Sequence, residues 1–176
     1  MGPSKITSMK VGKSSFFNGE VVEIGDKEVR NGNGKQVWDD GTTYEGTFKN
    51  DTLDGKGRII HKTGDVYEGD FNNNKGSGKG KYISYIGDVY EGSFVENMPN
   101  GSGKLTNKIG ETYTGDFVNG MRDGYGELEM PGKARYSGNF YSGLFEGQGN
   151  FFMKNKNQGF LIGQMADSTK ATGNVE

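Results

Sequence analysis

Short runs in which aromatic, small and charged residues alternate recur along most of this chain. In Asp65-Val66-Tyr67-Glu68-Gly69-Asp70-Phe71, alternation puts Tyr67, Gly69 and Phe71 on one face and Val66, Glu68 and Asp70 on the other. That is the two-residue period of a β-strand. Runs of this kind start at Tyr44, Tyr67, Tyr90, Tyr113 and Tyr136, a fixed period of 23 residues. Each tyrosine is followed by glycine and then phenylalanine on the same face: Gly46 and Phe48, Gly69 and Phe71, Gly92 and Phe94, Gly115 and Phe117, Gly138 and Phe140. A glycine–any–glycine pair comes next in every copy, at Gly55/Gly57, Gly78/Gly80, Gly101/Gly103, Gly124/Gly126 and Gly147/Gly149. One further apolar position recurs, at Ile59, Tyr82, Leu105, Leu128 and Phe151. No helical period persists beyond two turns. A short fixed period marks a repeat architecture, in which each unit buries its apolar face by stacking on the next.

Each unit reads as a β-hairpin. In the unit of Tyr67, a loop follows the first strand and the second strand begins near Gly78-Lys79-Gly80. Gly41, Gly64, Gly87 and Gly110 lie in tight-turn sequences such as Thr63-Gly64-Asp65, which join one unit to the next. The glycine after each tyrosine lies mid-strand, where glycine ordinarily weakens a strand, so it points to close approach by a ring or to sheet curvature. The ends are degenerate. Phe17-Asn18-Gly19-Glu20-Val21 opens a capping unit whose second glycine pair, Gly32 and Gly34, arrives four residues late, as if its loop were longer. Leu161-Ile162-Gly163-Gln164-Met165 repeats the pattern two residues out of register. The expected organisation is a polar segment at 1–16, a capping repeat at 17–43, five repeats at 44–158, a degenerate terminal repeat at 159–166 and a polar tail at 167–176.

Composition sharpens this picture. Only 31% of residues are hydrophobic and 32 of 176 are glycine, too little apolar volume for a thick two-layer core. The ordered repeat and the 12% aromatic content argue against disorder. A thin single-layer sheet satisfies both facts. The net charge of −2 gives no electrostatic footprint for nucleic acid. The absence of cysteine excludes disulfides and thiolate metal sites. No apolar run reaches transmembrane length and the N-terminus lacks the apolar core of a signal peptide, so a cytoplasmic setting is expected.

The unit Tyr-Glu-Gly-any-Phe followed by Gly-any-Gly resembles the MORN repeat (membrane occupation and recognition nexus). Tyr44-Glu45-Gly46, Tyr67-Glu68-Gly69 and Tyr90-Glu91-Gly92 match fully, whereas Tyr113-Thr114-Gly115 and Tyr136-Ser137-Gly138 lack the glutamate. The resemblance covers 44–149 closely and 17–165 loosely. It implies an all-β fold: an elongated single-layer antiparallel sheet of stacked hairpins, a solenoid curved into a groove. It also implies a non-enzymatic interaction scaffold, cytoskeleton- or cilium-associated or at a membrane–cytoskeleton junction.

The leading expectation is a groove lined by Tyr44, Phe48, Tyr67, Phe71, Tyr90, Phe94, Tyr113, Phe117, Tyr136 and Phe140 that receives a helical or extended segment of a cytoskeletal or ciliary protein. The alternative is a module for phosphoinositide or other anionic lipid, with Lys56, Lys79, Lys81 and Lys104 as a basic rim. Exposed edge strands of the terminal hairpins offer a route to self-association. Catalysis, metal and cofactor have no support. His61 is the sole histidine, Glu68 and Asp70 recur with the repeat, and Gly76-Ser77-Gly78-Lys79 lacks the hydroxyl residue of a phosphate loop.

Overall fold

The computed structural model describes residues 3–11, 13–155 and 159–165, with backbone alone from 154 onward. The tail expected at 167–176 lies outside the described residues. The chain forms two compact units, one spanning Met1–Gly87 with Ser93–Asn97 and the other Asp88–Gly92 with Met98–Glu176. The first holds β1 (Lys5–Lys10), β2 (Phe16–Ile24), β3 (Lys27–Val37), β4 (Thr43–Lys49), β5 (Thr52–Ile60), β6 (Val66–Asn72) and β7 (Lys75–Ile83). The residues of β8 (Val89–Val95) are divided between the two. The second holds β9 (Met98–Thr106), β10 (Thr112–Val118), β11 (Met121–Met130), β12 (Ala134–Tyr141), β13 (Leu144–Asn155) and β14 (Gly159–Met165). Strand order follows chain order in one open antiparallel sheet, so the fold is all-β and built of stacked hairpins.

Within a repeat the loop is shorter than expected and the strand longer. The connection between β6 and β7 is a two-residue turn, Asn73-Asn74, with φ of 46° and 68°. Two left-handed residues make the turn whose twist matches that of the flanking strands. Gly78 therefore does not close a loop. It sits inside β7 with φ of 68°, where the register slips between Gly69↔Gly80 and Asp70↔Ser77. This is a β-bulge, and glycine supplies its left-handed residue. The same slip falls between Gly46 and Phe48 and between Gly115 and Phe117. The side chain opposite plugs the bulge: Asp70 Oδ2 accepts from Lys79 N at 3.2 Å, and Thr47 Oγ1 donates to Asp54 O at 2.5 Å.

Turns at the other end behave as their sequences require. Gly41, Gly64, Gly87 and Gly110 all have φ near 90°, between 86° and 98°. Successive hairpins are stitched at the tips. Asn74 N donates to Leu53 O at 2.9 Å while Leu53 N donates to Asn74 Oδ1 at 2.8 Å. Asn97 makes the same pair of bonds with Gly76. In the second unit glycine takes this place, so the backbone bonds of Gly120 N to Pro99 O and Gly143 N to Arg122 O remain without the side-chain one, and Arg122 Nη2 donates to Gly143 O at 2.8 Å.

The N-terminus adds a strand to the repeats, and the longer loop expected of the capping unit is corrected. The segment 1–16 contributes a strand, because Lys5–Lys10 pairs with Phe16–Val21 and Lys5 Nζ reaches Glu23 and Glu28 carboxylates at 2.6 and 2.8 Å. The late glycines of the capping unit lengthen β2 and β3 to 9 and 11 residues rather than the loop, which is a turn at Gly25-Asp26. Gly19 and Gly34 still pair directly, so the cap continues the repeat.

Candidate functional site

The ten repeat aromatics form the core, at 0% to 7% exposure. In the first unit Phe17, Phe48, Tyr44, Phe71, Tyr67 and Phe94 make consecutive edge-to-face contacts with centroids 4.9–5.2 Å apart. In the second, Tyr90, Phe117, Tyr113, Phe140 and Tyr136 do the same at 4.9–5.3 Å. Such pairs add about 0.5–1.5 kcal/mol each beyond their buried area. Ile59 stands between Tyr44 and Tyr67 in register, and Leu128 between Tyr113 and Tyr136. Arg30 caps Phe48 at 5.1 Å and Arg122 caps Phe140 at 5.3 Å. The rings expected to line an open groove thus face one another and close that face of the sheet.

The mid-strand glycines make this packing possible. They align across the strands as Gly19, Gly34, Gly46, Gly57, Gly69 and Gly80 in the first unit and Gly103, Gly115, Gly126, Gly138 and Gly149 in the second. Each tyrosine ring lies down over this seam. Its hydroxyl then donates to the carbonyl three residues on: Tyr44 to Thr47 at 2.9 Å, Tyr67 to Asp70 at 2.8 Å, Tyr113 to Asp116 at 3.0 Å and Tyr136 to Asn139 at 3.2 Å.

Burial favours the neutral phenol, so the Tyr44, Tyr67 and Tyr113 hydroxyls are pushed from the ordinary 10.0 up to about 12. The carboxylates of Asp70 and Asp116 push Tyr67 and Tyr113 the same way, and the bond to Thr47 opposes the shift at Tyr44. The folded-state value is raised, so this stabilisation is complete below pH 10 and is lost as pH rises from 10.0 towards about 12. Phenolate absorbance from the buried tyrosines is expected to rise together with loss of the strand circular-dichroism signal across that window. Ionisation of all tyrosines with the strand signal intact would contradict it.

The opposite face of the first unit is charged. Lys35, Glu45, Arg58, Glu68 and Lys81 stand directly across from one another on β3 to β7, alternating in sign from strand to strand. A second row pairs Lys56 Nζ with Asp70 Oδ1 at 2.6 Å. That contact, foremost, holds the Asp70 carboxyl below the usual range. Lys79 Nζ donates to Ser93 Oγ at 2.8 Å. Lys35, Glu45, Lys56, Arg58, Glu68, Lys79 and Lys81 line a broad hollow of about 1330 Å³ with a half-buried glycine floor, and Glu20 joins them there. Of the expected basic rim, Lys56, Lys79 and Lys81 line this hollow, while Lys104 stands opposite Thr114 in the second unit.

Sequence reasoning misses Lys35 and Arg58, although each directly follows a glycine pair, as Lys81 does. A signal for Arg58 is present all the same. Glu45 and Arg58 are 13 residues apart, as are Glu68 and Lys81, and each pair becomes cross-strand neighbours once the bulge is placed. Among the described residues no three His, Cys, Asp or Glu side chains converge as a metal cluster, and no helix is long and apolar enough to cross a membrane.

The MORN repeat family model matches residues 29–43, 44–66, 67–89, 90–112, 113–133 and 136–157. No curated protein matches the chain. A similar solved structure is the SAS-4 (dCPAP) TCP domain of Drosophila melanogaster in complex with a proline-rich motif of Ana2 (dSTIL). It is 15% identical, with 81% of this chain and 87% of that chain covered and a TM-score of 0.41.

Proposed function

The chain belongs to the MORN-repeat family, and from that premise we propose that it is a non-enzymatic scaffold that captures a helical segment of a partner protein on the charged face of its first unit. MORN units are non-catalytic modules for interaction with proteins or membranes. The setting we propose is a cytoskeletal, ciliary or membrane–cytoskeleton assembly, as the family resemblance implies. One observation carries the choice of face: the buried ladder leaves little ring surface to a partner, whereas the alternating row Lys35–Glu45–Arg58–Glu68–Lys81 is exposed. Neighbouring strands lie about 4.8 Å apart, close to the helical pitch of about 5.4 Å. A helix laid across the strands meets each strand with one side chain per turn. Acidic, basic and acidic residues at i, i+3 or i+4, and i+7 would pair with Lys35, Glu45 and Arg58.

The test uses the full chain and an alanine-based helix carrying that charge pattern, titrated at low salt. Arg58→Glu is expected to weaken binding at least about tenfold, since one attraction becomes one repulsion. A helix with lysine at the matching position should recover it. Equal binding of a scrambled helix, or no effect of Arg58→Glu, would reject the reading.

A second reading, capture of an anionic lipid headgroup, is favoured by the excess of cations over carboxylates in the hollow. It requires flotation with phosphoinositide vesicles that weakens steeply with salt and is lost in Lys79→Glu/Lys81→Glu. Absent or salt-insensitive flotation excludes it.

A further inference from the structure

The hairpins of the second unit carry a surface that the hairpins of Tyr44 and Tyr67 do not share. Where the first unit places Lys49 with Thr52 and Asn72 with Lys75 beside its hairpin tips, the second places Val118 with Met121 and Tyr141 with Leu144. Met98 occupies the equivalent position at the start of β9. All five side chains lie on the face opposite the tyrosine ladder, and all are between 44% and 74% exposed. The repeat architecture needs no apolar residue here, since the hairpins of Tyr44 and Tyr67 fold with lysine, threonine and asparagine at the same places, whereas Val95 of the first unit is apolar there too. A row of exposed apolar side chains repeated from hairpin to hairpin is characteristic of an interaction site.

Charge beside the ridge selects the occupant. Two residues inward on the same strands, and on the same face, stand the exposed carboxylates Asp116 and Glu146. Tyr125, also exposed and opposite Asn139, presents a ring on that face. Carboxylates and an open aromatic ring both favour lysine or arginine. They oppose an anionic membrane. They also oppose a second copy, because two-fold pairing would bring like carboxylates together. Hairpins repeat every two strands, about 9.6 Å, close to the roughly 10.5 Å between i and i+7 of a helix.

We propose that this ridge docks a basic amphipathic helix of a partner protein. Its apolar stripe lies on Met98, Val118, Met121, Tyr141 and Leu144, and its flanking lysine or arginine residues face Asp116, Glu146 and Tyr125. The site is independent of the charged face of the first unit.

The test titrates the full chain with a leucine–lysine model helix carrying leucine at i, i+3, i+4 and i+7. Met121→Thr/Leu144→Thr restores the residue found at Thr52 and leaves charge unchanged, so it should fold like the parent, as unfolding midpoints would verify. It is expected to weaken binding at least about tenfold. Asp116→Asn/Glu146→Gln should weaken it by about threefold to tenfold and reduce its salt dependence. Arg58→Glu should leave it unchanged, which separates this site from the one proposed above. Four results would overturn the proposal: undiminished binding by Met121→Thr/Leu144→Thr, equal binding of a leucine–glutamate helix, a concentration-dependent dimer abolished by the same double substitution, or flotation of the chain with neutral phosphatidylcholine vesicles.

Discussion

Replacing Tyr44 with alanine is expected to destabilise the fold by about 3–5 kcal/mol, the range for removing a large buried aromatic. Tyr44 is 0% exposed, meets Phe48 and Phe71 edge-on at 5.1 Å, and donates to Thr47 O at 2.9 Å. The loss therefore combines transferred area, two ring contacts and an unpaired carbonyl. Tyr44→Phe isolates the last of these and should cost about 1 kcal/mol. Urea unfolding midpoints of the two variants check the ranking. If Tyr44→Ala cost no more than Tyr44→Phe, the ring would be a passive surface group and the ladder would not be the core.

Adding one methyl group to the glycine seam should be nearly as harmful. A methyl on Gly46 would meet Gly57 Cα and Lys56 O at 2.5 Å, so the backbone of β5 itself must move. A loss above about 3 kcal/mol is expected, at the upper end of overpacking penalties. A methyl on Gly57 instead meets the Tyr44 ring at its Oη, Cζ and Cε2 atoms. Gly57→Ala should therefore become much less costly in a Tyr44→Ala background, whereas Gly46→Ala should gain little, because its clash with β5 remains. Gly41 provides the contrast. It has open space around it and φ of 90°, so alanine there should cost only about 1–2 kcal/mol of backbone strain. A double-mutant cycle reads these couplings directly. Additive losses for Gly57→Ala and Tyr44→Ala would refute the account of a ring lying on the seam.

Much of this architecture is legible in the residues themselves. The spacing of Tyr44, Tyr67, Tyr90, Tyr113 and Tyr136 announces stacked units, and two-residue alternation announces strands. The mid-strand glycines announce close approach, and the structure identifies the approaching groups as the backbone of the facing strand and the hydroxyl end of the tyrosine two residues earlier. The turn at Asn73-Asn74 is harder to read. Glycine is the expected left-handed residue, and the glycine at Gly78 draws the loop towards itself. Once that glycine becomes a bulge, the second strand starts three residues sooner, at Lys75. The partners of Glu45 and Glu68 then fall to Arg58 and Lys81.

The sequence by itself determined the repeat, its period, the strand content and the identity of the aromatic core, because each depends on local alternation or on residues copied in every unit. Only the tertiary structure decided which face remains open. Alternation separates the tyrosines from the glutamates, yet it cannot say whether rings on neighbouring hairpins splay apart into a groove or close over one another. Closure depends on a glycine seam shallow enough to let every ring lie flat, and that seam exists only when glycines from adjacent strands arrive in register. The same register sets lysine, arginine and glutamate into an alternating row in the first unit, and the copies of the second unit leave valine, methionine, tyrosine and leucine beside their tips. Cross-strand pairing joins residues distant along the chain, and it is where binding surfaces are assembled.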